Sequence, residues 1–315
     1  MLADDPLTRI GHTSLDDTGV TAIVAPHEAG MAAAVDVRGG GPGTRETDLL
    51  EPHNTVERVH AILLCGGSAF GLAAADGAMQ ELERRGWGFP VFGEGVPGPR
   101  VPIVPAAVIF DLVVGDPSHR PGSEDGARAV AAAFETPSSE TGSVGAGCGA
   151  TAGVLRGGFG RARVDTDGYA VEANVVANPV GSVVDTRSGL LFGDDAQPAV
   201  DLERFTRLER PTPKLNTTIG GIATDAPLTK AQLKRVAMTG HDGIARAVRP
   251  AHSPLDGDTL FAVSTAAPGE QPVTDVETLG RIGEAAAQAV QTAIVDAVVH
   301  ATGAFGVSAW QDLAR

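Results

Sequence analysis

Aromatic side chains are scarce, at 4% of 315 residues with a single tyrosine, so large rings cannot fill the interior. Packing must come from Ala, Val, Leu and Ile, and the 41 glycines let backbones approach closely. There are two cysteines, Cys65 and Cys148, in Leu-Leu-Cys-Gly and Ala-Gly-Cys-Gly settings that resemble buried small apolar side chains more than a disulfide framework or a metal site. Positive charge is thin as well. Lys+Arg number 24 against 39 Asp+Glu, the formal net charge is -15, and no lysine precedes Lys214. That balance argues against nucleic acid as a partner, because its binding draws on cations that neutralise phosphates.

No apolar run is long enough to span a membrane, and Met1-Leu2-Ala3-Asp4-Asp5-Pro6 lacks the basic and apolar segments of a leader, so a cytoplasmic protein without membrane partners is expected. No Gly-x-Ser-x-Gly elbow accompanies His241 or His252, which argues against a Ser-His-Asp site. His-Glu-x-x-His, Cys-x-x-Cys and Gly-x-x-x-x-Gly-Lys spacings are missing too, so no metal and no cofactor is expected.

What is present reads as alternating strands and helices. Residues 19–25 and 31–37 read as strands of a hairpin turned through Pro26 and Gly30. A strand at 60–64 leads through Gly66-Gly67-Ser68 into a helix with Phe70, Leu72, Ala73, Met79 and Leu82 at helical spacing, ended by Gly86. Residues 106–112 read as a strand and 124–134 as a helix; 159–164 and 169–177 flank the Asp165–Gly168 turn. The polar, Pro-bearing stretch 186–215 is the only long connection, and an exposed linker is expected there. Beyond it come a strand at 217–224, a helix capped by Thr229 and Gln232 and running to Val248, a strand at 259–265, and a long helix from a capping box at Thr274–Glu277 to His300. Blocks of strands between long helices predict a layered α+β domain over 1–315, with no internal repeat.

Asn216-Thr217-Thr218 is the most informative step. Cleavage of the Asn216–Thr217 bond would make Thr217 a new N-terminus, with a hydroxyl nucleophile and its own amine as base. The reference pKa of an α-amine, about 7.7–8.0, leaves an appreciable unprotonated fraction near neutrality. The same letters can simply open a strand, and they match a glycosylation sequon. Asp256-Gly257-Asp258 can likewise be a hairpin turn, and Asn178-Pro179 a turn starter.

Several motifs occur together and in order: Asp36-Val37-Arg38-Gly39-Gly40, Pro42-Gly43-Thr44-Arg45-Glu46-Thr47-Asp48, Gly66-Gly67-Ser68-Ala69-Phe70-Gly71-Leu72, Val144-Gly145-Ala146-Gly147, Asn178-Pro179-Val180-Gly181, Asn216-Thr217-Thr218-Ile219 and Asp256-Gly257-Asp258-Thr259-Leu260-Phe261-Ala262. The set resembles the L-aminopeptidase/D-esterase family, with its D-aminopeptidases, β-peptidyl aminopeptidases and nylon-oligomer hydrolases, over nearly the whole chain. The resemblance implies a four-layer αββα sandwich of the N-terminal-nucleophile type, self-cleaved into chains 1–216 and 217–315 and assembled as a homo-tetramer. It implies Thr217 as nucleophile and Asn216 as the residue before the cut. Asn178 would supply an amide to the oxyanion, Asp256 and Asp258 would orient the Thr217 hydroxyl and ammonium, and a small peptide or amide would be the substrate.

Two polar groups of the family pattern are missing. A catalytic lysine of the nylon-oligomer hydrolases aligns with Val154, and a substrate-contacting tyrosine aligns with Phe110. Arg156 is the candidate to restore the positive charge, against the duller reading of a surface residue on a strand edge. Arg38 and Arg45 could bind substrate carboxylates, but beside Glu46 and Asp48 they are expected in structural ion pairs. Two other readings stay open: an acyltransferase related to the self-processing ornithine acetyltransferases, and a non-catalytic, uncut member binding a small metabolite.

Overall fold

Small side chains let layers of backbone sit close together, and the apolar residues sort into three separate cores. The structure, a computed structural model, describes residues 6–213 and 215–315; the Met1–Asp5 start and Lys214 lie outside the described residues. In chain order the elements are β1 (Arg9–Ser14), β2 (Gly19–Val24), β3 (Met31–Val37), β4 (Thr44–Arg45), β5 (Arg58–Val59), β6 (Ala61–Cys65), α1 (Ala74–Arg84), β7 (Phe89–Pro90), β8 (Arg100–Val101), β9 (Ala106–Val108) and α2 (Ser123–Glu135). The second half holds β10 (Thr151–Ala152), β11 (Leu155–Arg156), β12 (Gly158–Thr166), β13 (Tyr169–Ala177), α3 (Leu202–Phe205), β14 (Ile219–Thr224), α4 (Lys230–Ala247), β15 (Thr259–Ser264) and α5 (Val276–Val299).

The first large sheet runs β1-β2-β6-β9-β4 and the second β12-β13-β14-β15-β3-β5. α1 and α2 pack together on the first sheet, where Val20, Leu63 and Val108 meet Ala78, Leu82 and Val130. α4 and α5 pack on the second, where Val171, Ile222 and Leu260 meet Leu233, Ile244 and Val290. Between the sheets lie Ile23, Ile62, Leu64, Val176, Ile219 and Phe261. Both faces of each sheet are therefore covered, which is why β2, β14 and β15 are buried along their whole length.

The capping box of α4 forms as expected, with the Thr229 amide donating to Gln232 Oε1 at 2.9 Å and the Gln232 amide donating to Thr229 Oγ1 at 3.3 Å. On α5 the cap is Asp275 rather than Thr274: its carboxylate accepts from the Glu277 and Thr278 amides. The expected hairpin of 19–25 with 31–37 is corrected. β2 pairs with β1 and β6 in the first sheet, whereas β3 pairs with β15 and β5 in the second, so the Pro26–Gly30 turn carries the chain between sheets. Gly93-Glu94-Gly95-Val96-Pro97-Gly98 has the letters of a dinucleotide loop but falls between β7 and β8, with no helix after it. Among the described residues, no helix is long and apolar enough to cross a membrane.

Candidate active site

The second sheet brings the sequence motifs together through its pairing. β14 and β15 are parallel, with Ile219 opposite Thr259, and α4 lies in the connection between them. Thr217-Thr218 and Gly257-Asp258 thus enter the sheet side by side. β13 runs antiparallel to β14 with Val176 opposite Ile219, so Asn178 arrives beside Thr217. β3 leaves the sheet beside β15, and the amides of Arg38 and Gly39 both donate to the Asp258 carbonyl. A Cβ at Gly39 would lie 2.2 Å from the Asp258 nitrogen, and one at Gly257 would lie 2.6 Å from the Gly41 oxygen and 2.8 Å from Thr217 Oγ1. Only glycine leaves room for these two strands of backbone and the threonine hydroxyl.

Thr217 is 4% exposed. Its amide donates to the Asn178 backbone oxygen at 2.7 Å, and its hydroxyl donates, through a short contact, to the carbonyl oxygen of Asn216. The Asn216 side chain is pinned at both ends. Nδ2 donates to Thr151 O at 3.1 Å, Thr151 Oγ1 at 3.0 Å and Asn178 Oδ1 at 3.1 Å, while Oδ1 accepts from Arg210 Nη2 at 2.7 Å. Asn178 Oδ1 also accepts from the Thr151 amide at 2.8 Å, and Asn178 Nδ2 donates to the Phe110 carbonyl at 3.1 Å.

The two aspartates surround Thr217 without a hydrogen bond to it among the described residues. Asp258 Oδ1 accepts from the Thr218 amide at 2.8 Å, and its Oδ2 accepts from the His252 amide at 3.2 Å and lies 2.8 Å from His252 Nδ1. Asp256 accepts from the amides of Val180 and Ser253. Burial, reinforced by the Asp258 charge, pushes the Asp256 carboxyl up to about 6. His252 has a backbone φ of 54° and packs edge-on to His241, whose pKa burial lowers to about 4.

Arg156 is not a surface residue. It is 1% exposed, its Nη2 donates to the Cys148 carbonyl, and its Nε and Nη1 are buried without a hydrogen-bond partner among the described residues. Burial pushes its pKa down. It sits opposite Thr151 in the β10–β11 hairpin, which places the two side chains on one face of that hairpin. Phe110 enters the site through its carbonyl rather than its ring, and Val154 packs against the core beneath α4 and α5. Arg38 pairs with Asp36 at 2.8 Å and Arg45 with Asp76 at 2.6 Å, so their ion pairs use partners other than Glu46 and Asp48. Both cysteines are free and buried. A cavity of about 630 Å³ lined by Val56, Arg58, His60, Phe89 and Ile103 contains none of the residues around Thr217.

Sequence reasoning missed Thr151 and Arg210, and it set His252 aside. Thr151 follows the Val144–Gly147 motif closely, which is a signal of position but not of role. Arg210 lies in the polar connection, where nothing marks it.

The chain is similar to known hydrolases throughout its length. Residues 2–310 match the model of peptidase family S58. A protein of Mycobacterium leprae named as an uncharacterized aminopeptidase is 46% identical over 92% of this chain and 84% of its own. Among solved structures, a Burkholderia β-aminopeptidase superposes with a TM-score of 0.72 at 25% identity, covering 96% of this chain and 88% of that one. The L-aminopeptidase D-Ala-esterase/amidase of Ochrobactrum anthropi, described as a variant of the Ntn-hydrolase fold, superposes with a TM-score of 0.70 at 22% identity over 93% and 84%, a likeness of fold. With its mixed α/β sheets and this coverage, the chain belongs to peptidase family S58 and is a hydrolase.

Proposed function

We propose that this hydrolase is a self-processing aminopeptidase with Thr217 as its N-terminal nucleophile, built as a four-layer αββα sandwich and cut into chains 1–216 and 217–315. The observation that carries the reading is the Thr217 hydroxyl, buried and bonded to the carbonyl of the very peptide bond to be cut. In self-cleavage Oγ1 attacks the Asn216 carbonyl carbon, the Thr217 nitrogen leaves with a proton as the free amine, and water hydrolyses the Asn216 ester. Carboxylate and hydroxyl are restored. In turnover the amine takes the Oγ1 proton, Oγ1 attacks the substrate carbonyl, the proton passes to the leaving amine, and water releases the acyl group.

Asn178 supplies the oxyanion donor. One N–H of its amide is held by Phe110, which fixes its plane and leaves the second free to serve, a contact worth about 100- to 1000-fold in rate. Asp258 positions the nucleophile through the adjacent Thr218 amide, and Asp256 fixes the loops at Val180 and Ser253. Arg156 supplies the positive charge that lowers the pKa of the Thr217 amine, a reading supported by its burial, by its place opposite Thr151 and by two nitrogens without a hydrogen-bond partner among the described residues. The substrate is a short peptide or amide met by cytoplasmic homo-tetramers of cut protomers. Phe89, Val91, Phe92 and Val96, exposed around the β7–β8 hairpin, supply apolar surface for that assembly.

Hydrolysis of aminoacyl p-nitroanilides by wild type and by Thr217→Ala tests the reading. Turnover by wild type and none by the variant is expected. Undiminished turnover by Thr217→Ala contradicts the assignment.

A further inference from the structure

Asn216 is recognised by its side chain as well as by its place in the chain. Three acceptors, Thr151 O, Thr151 Oγ1 and Asn178 Oδ1, converge on its Nδ2 at 3.0–3.1 Å, and the Arg210 guanidinium donates to its Oδ1 at 2.7 Å. The backbone nitrogen of Asn216 donates to the Leu255 oxygen at 3.3 Å. The residue is 5% exposed, so this is a built slot complementary to both ends of a carboxamide.

The proposed chemistry links that slot to substrate choice, and the inference rests on that reading. During self-cleavage the acyl group carried on Thr217 Oγ1 is asparaginyl. During turnover it is the N-terminal residue of the substrate, esterified to the same oxygen between the same walls at Gly257 and Gly41. The two acyl groups meet the same surroundings at the same distance from the reacting carbon. Hydrolysis leaves Asn216 as the free end of chain 1–216; once that end withdraws, the substrate side chain enters the space where the Asn216 carboxamide stood, and its α-ammonium takes the position of the Asn216 nitrogen beside Leu255 O.

We infer that the Asn216 slot is the acyl-side-chain subsite of the cut enzyme and that it selects substrates whose N-terminal residue carries a carboxamide, asparagine first. The acceptor end of the slot belongs to the folded frame, since Thr151 lies in β10 and Asn178 follows β13, and the Thr151 amide locks Asn178 Oδ1 at 2.8 Å. Arg210 has a second anchor, Nη1 donating to Val180 O at 2.6 Å, that does not depend on Asn216. An aspartyl side chain would set oxygen lone pairs against the Thr151 and Asn178 acceptors. A leucyl side chain would leave those acceptors buried and unpaired.

The experiment takes purified enzyme, records its intact mass, and measures kcat/KM for the p-nitroanilides of L-asparagine, L-aspartate, L-leucine and 4-aminobutyrate. The asparaginyl substrate should lead the aspartyl and leucyl ones by about 10- to 100-fold. In the cut fraction of Thr151→Val the Asn:Leu ratio should shrink, and in Thr151→Ser it should persist, whereas a general loss of integrity would lower both substrates together. A cut, active enzyme that handles leucyl, aspartyl or 4-aminobutyryl substrate as well as asparaginyl overturns the inference and leaves the proposed function standing. So does an unchanged ratio in cut Thr151→Val. If Thr151→Val is not cut, the wild-type panel decides alone. An uncut and inactive wild type overturns both readings.

Discussion

Each large sheet contains one parallel pair, β6–β9 in the first and β14–β15 in the second, and each pair has a buried threonine and a buried aspartate at one end. Beyond β6 and β9, the Asp111 carboxylate accepts from Thr18 Oγ1 at 2.7 Å and from the Gly67 amide at 2.7 Å, and burial pushes its pKa up to about 6. At the entry to β14 and β15, Asp256 is raised to about the same value. The difference lies in the hydroxyl. Thr18 spends its proton on a carboxylate and is locked into the frame, whereas Thr217 directs its proton at its own peptide carbonyl. A buried Thr–Asp neighbourhood is therefore not by itself the arrangement proposed for Thr217; the difference between the two ends is the orientation that β13 and Asn178 impose.

The largest effect that would break this contrast is at the hydroxyls. Thr217→Ala should remove turnover, while Thr18→Val should keep turnover and lose about 1–3 kcal/mol of stability in urea denaturation, because Asp111 loses a donor. Gly257→Ala comes next. Its Cβ would press on the Gly41 oxygen and Thr217 Oγ1, so a stability loss of about 1–3 kcal/mol together with a fall in kcat is expected, and an unperturbed variant would show that the loop yields freely.

The charged groups give smaller shifts. Arg156→Ala should move the rising limb of the pH–rate profile upward by about one unit, since without the cation the Thr217 amine holds its proton to higher pH. Arg156→Lys should restore much of the wild-type limb, and an identical profile in all three proteins would remove Arg156 from the mechanism.

Smallest is the effect of pH on stability from the two raised carboxyls. As pH rises from about 4, the unfolded chain releases those protons first, so stability falls between about pH 4 and 6 and levels off above it. Asp111→Asn should flatten that part of the curve, measured by denaturant midpoint against pH.

The sequence made the local elements legible where chemistry is local. Thr229 with Gln232 marks the start of α4 because both partners lie within one turn, and the Asp165–Gly168 turn marks the β12–β13 hairpin. The separation of β2 from β3 was not legible. Both are short and apolar, with little alternation to say which face or which partner each needs, and the short turn suggested a hairpin where the chain in fact changes sheets. β1, Arg-Ile-Gly-His-Thr-Ser, escaped notice because its polar residues hide an edge strand covered by α2.

The family pattern pointed to Asn178, Asn216, Thr217, Asp256 and Asp258 as candidates, and pairing in the second sheet explains why these residues lie together. Thr151 and Arg210 required the folded chain. Thr151 meets Asn216 across 65 residues of sequence, and Arg210 stands in a connection with no regular period, so neither spacing nor propensity points to them. The same holds for Arg156, whose charge suggested the surface and whose position on the β10–β11 hairpin buries it.

Denaturing intact-mass spectrometry of wild type beside Thr217→Ala tests the central claim most directly. Two fragments in wild type, residues 1–216 and 217–315, with one unbroken chain in the variant, are the predicted result. An unbroken wild-type chain that nonetheless hydrolyses aminoacyl amides would contradict it, because no free amine would then stand beside the Thr217 hydroxyl.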